Sequence, residues 1–271
     1  MNCASREYAA EPLPRKEHVQ FRSIPGLPPR EFFLYVPRAA RRDRILVLMH
    51  GISENGCELA LRFAEEAEAR GVVLVAPLMR RSVVGQYQQL LDPKTGIRAD
   101  RLLFDILDAV RGELGLKACP VDIFGFSGGG QFAHRFAFNH PYMIRNGVLV
   151  APGWFTFPDR AAPYPQGLRN SPEKLDVPAI RSIPFHVIVG DEDIVRDSSL
   201  RRSQRIDRIQ GRNRLERARR WHHAMLEWGA DPRTSLTVLP GLAHSFAQAA
   251  RNHHLPRLTF ELLEAGINSI S

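Results

Sequence analysis

The chain has 271 residues, of which 44% are apolar, and it carries a formal net charge of +8. This apolar content supports a sizeable core. The length allows one or two domains, but α/β folds of this size are often one domain, so a single domain over residues 1–271 is expected. No segment approaches the roughly 20 consecutive apolar residues of a membrane span, so no such span is predicted.

The positive charge is concentrated in residues 196–220, which hold ten arginines against three acidic residues, a surplus of seven charges. The rest of the chain is therefore almost neutral, and no nucleic-acid partner is predicted. This Arg-rich insertion has two open interpretations. It forms a solvated helix face, or it reaches the rim of a site and attracts carboxylate or phosphate groups.

The N-terminal residues 1–22 are polar and contain proline, which is unlike a signal peptide. Cys3, Cys57 and Cys119 have neither metal-ligand nor redox spacing. Free thiols in a reducing compartment are therefore expected, and the predicted location is cytoplasmic. The sequence does not indicate an oligomeric state.

In chain order, the pattern predicts strands that alternate with helices. An edge hairpin (19–24 and 31–36) comes first. The expected strands that follow are 45–49, 72–76, 121–126, 147–151, 185–189 and 236–239, and the expected helices are 57–70, 102–114 (with Asp100 as its N-cap), 131–139, 215–228 and 246–265, the last broken near Pro256.

This alternation favours a mostly parallel sheet covered by helices on both faces. Sites in such sheets lie outside the carboxyl ends of the strands. Four chemically useful groups follow predicted strands, namely His50-Gly51, Ser127, Asp193 and His244. Their agreement is stronger evidence than any one motif.

Ser127 lies in Gly125-Phe126-Ser127-Gly128-Gly129, between an apolar strand and a helix. This is the G-x-S-x-G nucleophile elbow in the strand–turn–helix context that it requires. The turn is so tight that side chains two residues before and after the serine would clash, which explains Gly125 and Gly129. Ser127 is the predicted nucleophile.

Serine needs a base within hydrogen-bonding reach and a third group to orient that base. The chain offers Ser127, then an acid at Asp193 or Asp191, then His244, which is the order found in α/β hydrolases. Packing or surface roles are expected for the histidines that lie on helices or in basic surroundings, namely His134, His140, His222, His223, His253 and His254.

From about residue 30 onward the chain resembles the α/β hydrolases, and within them the esterase and polyhydroxyalkanoate-depolymerase-like branch. The matching segments are His50-Gly51, 125–129, 190–193 and 241–246. The resemblance implies an eight-stranded α/β-hydrolase fold with a small cap after strand 6. It also favours Asp193 as the acid, because the family places the acid fourth from the glycine, here Gly190. Asp191 would then stabilise the turn.

Two backbone amides are expected to form the oxyanion hole, that of Gly128 and that of Ile52 after His50-Gly51. Residues 153–182 are predicted to form the lid or cap. In this segment Trp154, Phe155 and Phe157 either form one wall of an apolar substrate pocket or pack the loop onto the body.

The predicted function is a serine hydrolase that cleaves a carboxylic ester or thioester of a small molecule through an acyl-enzyme on Ser127. No metal and no cofactor is expected. The alternatives are a non-catalytic scaffold that acts as a binding protein, and an acyltransferase or peptidase that uses the same three residues. Substrate identity is not fixed by the sequence, because it depends on pocket shape.

Overall fold

The computed structural model describes residues 16–265. Within that range eight strands form one sheet, accompanied by eight α-helices. The strands are β1 Lys16–Ile24, β2 Arg30–Val36, β3 Ile45–Met49, β4 Val73–Pro77, β5 Val121–Phe126, β6 Ile144–Val150, β7 Phe185–Gly190 and β8 Ser235–Leu239. The helices are α1 Gly56–Arg70, α2 Ala99–Leu114, α3 Gly128–Asn139, α4 Val177–Arg181, α5 Gln204–Gln210, α6 Arg214–Glu227, α7 Phe246–Asn252 and α8 Leu255–Glu264.

The sheet has the strand order β1-β2-β4-β3-β5-β6-β7-β8. The first two strands form an antiparallel hairpin at one edge, and β2 also pairs antiparallel with β4. All other neighbours are parallel. The predicted eight-stranded, mostly parallel sheet with an edge hairpin is therefore confirmed. Its parallel register brings the carboxyl ends of β3, β5, β7 and β8 to the same edge.

Helices cover both faces of the sheet, and each face has its own apolar core. One core contains side chains of α2, α3 and α6, such as Leu103, Phe132 and Trp221. The other contains side chains of α1, α7 and α8, such as Phe63 and Phe260. Strands β3 and β4 contact both cores and are buried along their whole length, which explains their continuous apolar runs.

Two local features differ from the sequence predictions, and a third was predicted. Asp100 is not the N-cap of α2: Arg98 holds that position, and the Asp100 carboxylate pairs instead with Arg98 and His140. The Arg-rich segment contains an additional short helix, α5, whose seven residues are too few for a clear hydrophobic period. The predicted break of the C-terminal helix near Pro256 is confirmed: it falls at His253 and His254, just before α8 begins at Leu255.

Among the described residues, Cys57 and Cys119 form no disulfide. The prediction for Cys3 lies outside residues 16–265, as does most of the N-terminal segment that was compared with a signal peptide. Within that same range, no helix is long and apolar enough to cross a membrane.

Candidate active site

Ser127 occupies the sharp turn between β5 and α3, with φ 54° and ψ −109°. A residue other than glycine that has φ in this region has a strained backbone, and tight surrounding contacts are needed to hold it. A Cβ atom at Gly125 would lie 2.2 Å from the carbonyl oxygen of Gly129, and one at Gly129 would lie 2.0 Å from that of Met49. Both glycines are therefore required by close approach of the backbone.

The turn is fixed at both ends by backbone hydrogen bonds. The Ser127 amide donates to the Val150 carbonyl of β6 at 2.8 Å, and the Ser127 carbonyl accepts the first helical bond from Gln131 at 3.2 Å. The amides of residues 128–130 precede that bond, so they have no carbonyl one turn earlier in the helix. They give this end of α3 a partial positive charge beside the serine hydroxyl.

Ser127, His244 and Asp193 form a continuous hydrogen-bonded chain. The Ser127 Oγ lies 3.0 Å from His244 Nε2, and His244 Nδ1 lies 2.8 Å from Asp193 Oδ2. Ser127 and Asp193 are buried, whereas His244 is half-buried. A neutral imidazole that donates from Nδ1 to the carboxylate presents a lone pair on Nε2 to the hydroxyl.

The loops that carry Asp193 and His244 are tied together by their backbones. The amides of Asp191 and Glu192 donate to the carbonyls of Leu239 and Leu242. Gly190 allows this contact, because a Cβ atom there would lie 1.8 Å from the Leu242 carbonyl oxygen. The distance between Asp193 and His244 is therefore fixed by backbone hydrogen bonds between the loops that follow β7 and β8.

Asp191 and Asp193 have different surroundings although they are two residues apart. The Asp191 side chain is exposed and accepts a hydrogen bond from the Gly241 amide at 2.7 Å. It thereby stabilises the loop before the histidine and does not contact the imidazole. Asp193 is 2% exposed and contacts His244 directly.

The imidazole of His244 also stacks on the Phe126 ring, with centroids 5.1 Å apart and an angle of 22° between the planes. Phe246 supports Phe126 from its edge. The variable residue of the G-x-S-x-G motif thus packs against the ring that faces the serine. Neither contact was identified from the sequence, although both residues lie inside motifs that were.

The predicted oxyanion pair, Ile52 and Gly128, lies at the same end of the sheet. A Cβ atom on Gly128 would be 3.6 Å from the Ile52 amide nitrogen, so the two backbones are close neighbours. The turn that carries Ile52 is held by two buried side chains. His50 Nδ1 donates to the Gly51 carbonyl at 2.6 Å, and the Tyr87 hydroxyl donates to the His50 carbonyl at 2.8 Å.

His50 serves the backbone and is not a second base. Its Nε2 accepts a hydrogen bond from the Met79 amide at 2.9 Å, so both ring nitrogens are occupied. Burial lowers the pKa of His50, which keeps the ring neutral. His134 is similar, with Nδ1 bonded to the Gly130 carbonyl and Nε2 bonded to the Thr156 amide, and burial lowers its pKa further.

A cleft of about 380 Å³ opens beside Ser127 and His244. Its walls come from residues 51–53 after β3, the start of α1, the Ser199 loop and the start of α7. The lining residues are Gly51, Ile52, Ser53, Asn55, Glu58, Phe126, Ser127, Ser199, His244, Ser245, Phe246 and Ala247. Polar and apolar groups are mixed, and the Ile52 side chain is 39% exposed at the mouth.

The predicted lid residues do not line this cleft. Trp154 is buried between the guanidinium groups of Arg135 and Arg201, and Phe155 stacks on Trp221 with ring centroids 4.8 Å apart. Phe157 packs against the core. The three aromatic side chains therefore pack this loop onto the body of the protein, which is the other interpretation that the sequence left open. Residues 168–175 line a separate surface groove of about 520 Å³.

The Arg-rich segment, residues 196–220, fits neither sequence interpretation completely, because it is neither wholly a solvated helix face nor only the rim of a site. Arg214 and Arg217 are fully buried, and Arg214 contacts Asp193. Asp207 pairs with Arg196 and Arg217. The seven remaining arginines are exposed, namely Arg201, Arg202, Arg205, Arg208, Arg212, Arg219 and Arg220.

One cluster among the described residues has the composition of a metal site: Asp100, His140 and Glu173. The guanidinium of Arg98 already bonds both carboxylates, at 2.5 Å to Asp100 and 2.7 Å to Glu173. A cation in that position competes with a metal ion for the same oxygens. The cluster is therefore an ion-pair network that joins the start of α2 to the end of α3, and none of its residues is among those lining the cleft.

Asp100 should make stability depend on acid pH. Burial alone would raise its pKa, but hydrogen bonds from His140 and Arg98 outweigh burial and lower the pKa to about 2, from an ordinary 3.8. A depressed pKa adds stability above the unfolded value and loses it as the pH falls towards 2. Asp100→Asn is expected to lower the free energy of unfolding by about 2 kcal/mol at pH 7.

Urea unfolding at several pH values checks this expectation. The difference between wild type and Asp100→Asn should shrink as the pH falls from about 4 towards 2. Asp108→Asn is the matched control, since that side chain is exposed on the same helix. Equal effects of the two substitutions, or a difference that does not vary with pH, would contradict the role given to Asp100.

No family model matches the sequence, and no curated protein matches it. Solved structures do match. Poly(aspartic acid) hydrolase-1 from Sphingomonas sp. KT-1 aligns with a TM-score of 0.76 at 23% identity, over 90% of this chain and 98% of that one. LpqC, a poly(3-hydroxybutyrate) depolymerase from Bordetella parapertussis, aligns with a TM-score of 0.74 at 24% identity, over 92% of each chain. The chain has the α/β-hydrolase fold.

An S-formylglutathione hydrolase from Agrobacterium tumefaciens has the same α/β-hydrolase fold, with a TM-score of 0.61 at 16% identity over 91% of this chain and 94% of that one. The predicted resemblance to the esterase and depolymerase-like branch is thus confirmed at the level of the fold. At these identities the chemistry must be argued from the site itself.

Proposed function

We propose that this protein is a serine hydrolase that cleaves carboxylic esters or thioesters through an acyl-enzyme on Ser127. The observation that carries the proposal is the hydrogen-bonded chain from Ser127 Oγ through His244 to Asp193, with links of 3.0 and 2.8 Å. These are hydrogen-bond distances suited to proton transfer, and the serine lines the adjoining cleft.

In the first step, His244 Nε2 accepts the proton of the Ser127 hydroxyl while Oγ attacks the substrate carbonyl carbon. The carbonyl π electrons move to its oxygen, which becomes an oxyanion. Asp193 holds Nδ1–H of the imidazole and stabilises the positive charge that the ring gains. The stack on Phe126 keeps the ring facing the serine.

The amides of Gly128 and Ile52 would bind the oxyanion. Their backbones are neighbours, and α3 begins at Gly128, so its positive end faces the developing charge. Tyr87 and His50 position the Ile52 turn through the carbonyls of His50 and Gly51. These two side chains are positioning residues in this mechanism.

The oxyanion then re-forms its carbonyl and expels the alcohol or thiol, which takes its proton from His244 Nε2. Water repeats the sequence: His244 accepts a proton from water, the hydroxide attacks the acyl-enzyme carbonyl, and Ser127 leaves with the proton returned. Each step uses side chains and backbone amides of this chain.

The mixed polar and apolar cleft suits an ester of modest size. The structural neighbours are named as a poly(aspartic acid) hydrolase, a poly(3-hydroxybutyrate) depolymerase and an S-formylglutathione hydrolase. We propose small carboxylic esters first and thioesters second as substrate classes. Peptidase or acyltransferase activity uses the same three residues and is separated by testing amides and added alcohols.

A fluorophosphonate probe tests the proposal directly, because it reacts with an activated serine and not with an ordinary one. Wild-type protein should be labelled at Ser127, as read by mass spectrometry of the adduct. Ser127→Ala should not be labelled, whereas the exposed control Ser82→Ala should be labelled like wild type. Both variants should retain the wild-type circular dichroism spectrum.

Labelling at Ser127 together with turnover of short 4-nitrophenyl esters would support the hydrolase. Folded wild-type protein that reacts with neither the probe nor any ester or thioester would reject it. That result would favour the non-catalytic scaffold instead.

A further inference from the structure

Arg214 is buried beside the proposed acid. It is the first residue of α6, its side chain is 1% exposed, and its Nη1 lies 3.2 Å from Asp193 Oδ1. The other carboxylate oxygen, Oδ2, accepts the hydrogen bond of His244. One carboxylate oxygen of Asp193 thus contacts the Arg214 guanidinium, and the other contacts the imidazole.

The same guanidinium fixes the loop that follows β7. Its Nη2 donates to the Ser199 hydroxyl at 2.6 Å, and both Nη atoms lie 3.4–3.5 Å from Asp197 oxygens. Ser199 lines the cleft beside Ser127. A single buried side chain therefore contacts both the acid and one wall of the cleft.

The carboxylates of Asp193 and Asp197 both contact the Arg214 guanidinium. Burial alone would raise the pKa of Asp197, but the Ser199 hydroxyl and Arg214 lower it to about 2, so Asp197 stays ionised. Asp193 contacts the imidazole, Arg214 contacts Asp193 and Asp197, and Glu58 lines the same cleft as His244. A carboxyl group as buried as Asp193 requires such polar and charged partners.

We propose that Arg214 is a positioning residue of the active site, which orients Asp193 towards His244 and holds the Ser199 wall of the cleft. This inference rests on the proposed hydrolase function. Arg214 acts through Asp193, and no contact with substrate is assigned to it. It is one of ten arginines in residues 196–220, so only the fold distinguishes it.

Arg214→Gln removes the charge and keeps an N–H group on a shorter side chain. We expect kcat for a 4-nitrophenyl ester to fall about 10- to 100-fold, with KM changed less than about threefold, because misplacement of a catalytic group mainly affects the chemical step. The acid limb of the pH–rate profile should move to higher pH, since loss of a nearby cation favours the protonated imidazole. Arg214→Lys should return the acid limb of the pH–rate profile to its wild-type position and restore part of kcat.

Arg217 provides a matched control, because it is an equally buried arginine one turn along α6. It bonds the Gly153 and Gly211 carbonyls and Asp207 and does not contact the triad. Arg217→Gln is expected to lower stability without moving the pH–rate profile of the folded fraction. If Arg214→Gln does not fold, Arg214→Lys is measured against Arg217→Lys, and only the former should show a lower kcat.

Folded Arg214 variants with wild-type kcat and an unchanged acid limb would overturn the inference, as would equal effects at Arg214 and Arg217. The fluorophosphonate reaction separates this failure from failure of the proposed function. If wild type is labelled at Ser127 and Arg214→Gln is labelled at the same rate, the positioning role alone fails. If wild type is not labelled, the hydrolase proposal fails first.

Discussion

Asp193→Asn is expected to lower kcat by about 10⁴-fold, whereas Asp191→Asn should change it only a few fold. The carboxamide introduced by the first substitution can present an N–H group where His244 Nδ1–H now donates, which forces the imidazole into the wrong tautomer. Nε2 then carries a proton and cannot accept the one from Ser127. Asp191 bonds the Gly241 amide and has no contact with the imidazole.

Steady-state kinetics on one short ester, with thermal unfolding of each variant, decide between the two acids. Asparagine at either position is close in size to aspartate, so both variants should fold. A large loss at position 191 with little loss at 193 would reverse the assignment. Similar small losses at both positions would mean that the acid does not orient the base.

The second large effect is expected for Gly129→Ala. Its free energy of unfolding should fall by at least about 3 kcal/mol, and the geometry of the nucleophile elbow should be lost. Its Cβ atom would meet the Met49 carbonyl oxygen at 2.0 Å and that of His50 at 2.7 Å. Both contacts are with backbone, so relief requires β3 and α3 to separate. Separation would displace Ser127 and the Gly128 amide from the cleft.

Gly112→Ala is the matched control, because a Cβ atom there meets nothing within 4 Å on helix α2. That substitution is expected to gain about 0.5–1 kcal/mol from helix propensity. Urea unfolding and fluorophosphonate labelling measure both variants. A Gly129→Ala protein with wild-type stability and labelling would show that the elbow does not need the glycine.

Much of this fold is encoded locally. The runs 45–49 and 185–189 are apolar at almost every position, as buried parallel strands require, and their strand bounds agree with the structure within one residue. The segment around Ser127 is equally local, since strand, glycines and helix are consecutive. Gly125 and Gly129 reveal a close backbone approach even before the approaching atoms are known.

Other features depend on partners distant in sequence. Asp100 resembles an N-cap locally, but Arg98 and His140 bind its carboxylate. For Trp154 and Phe155 the sequence allows either a pocket wall or packing onto the body, and in the fold they contact Arg135, Arg201 and Trp221. Composition gives the type of side chain and does not give which neighbour buries it.

By itself, then, the sequence determined the order of strands and helices, the elbow at Ser127 and the acid and histidine candidates, because each depends on consecutive residues or on periodicity. Only the tertiary structure decided that Asp193, and not Asp191, contacts His244, and that Arg214 differs from its nine neighbouring arginines. The physical reason is that hydrogen bonds and desolvation are set by the distances between segments far apart in the chain.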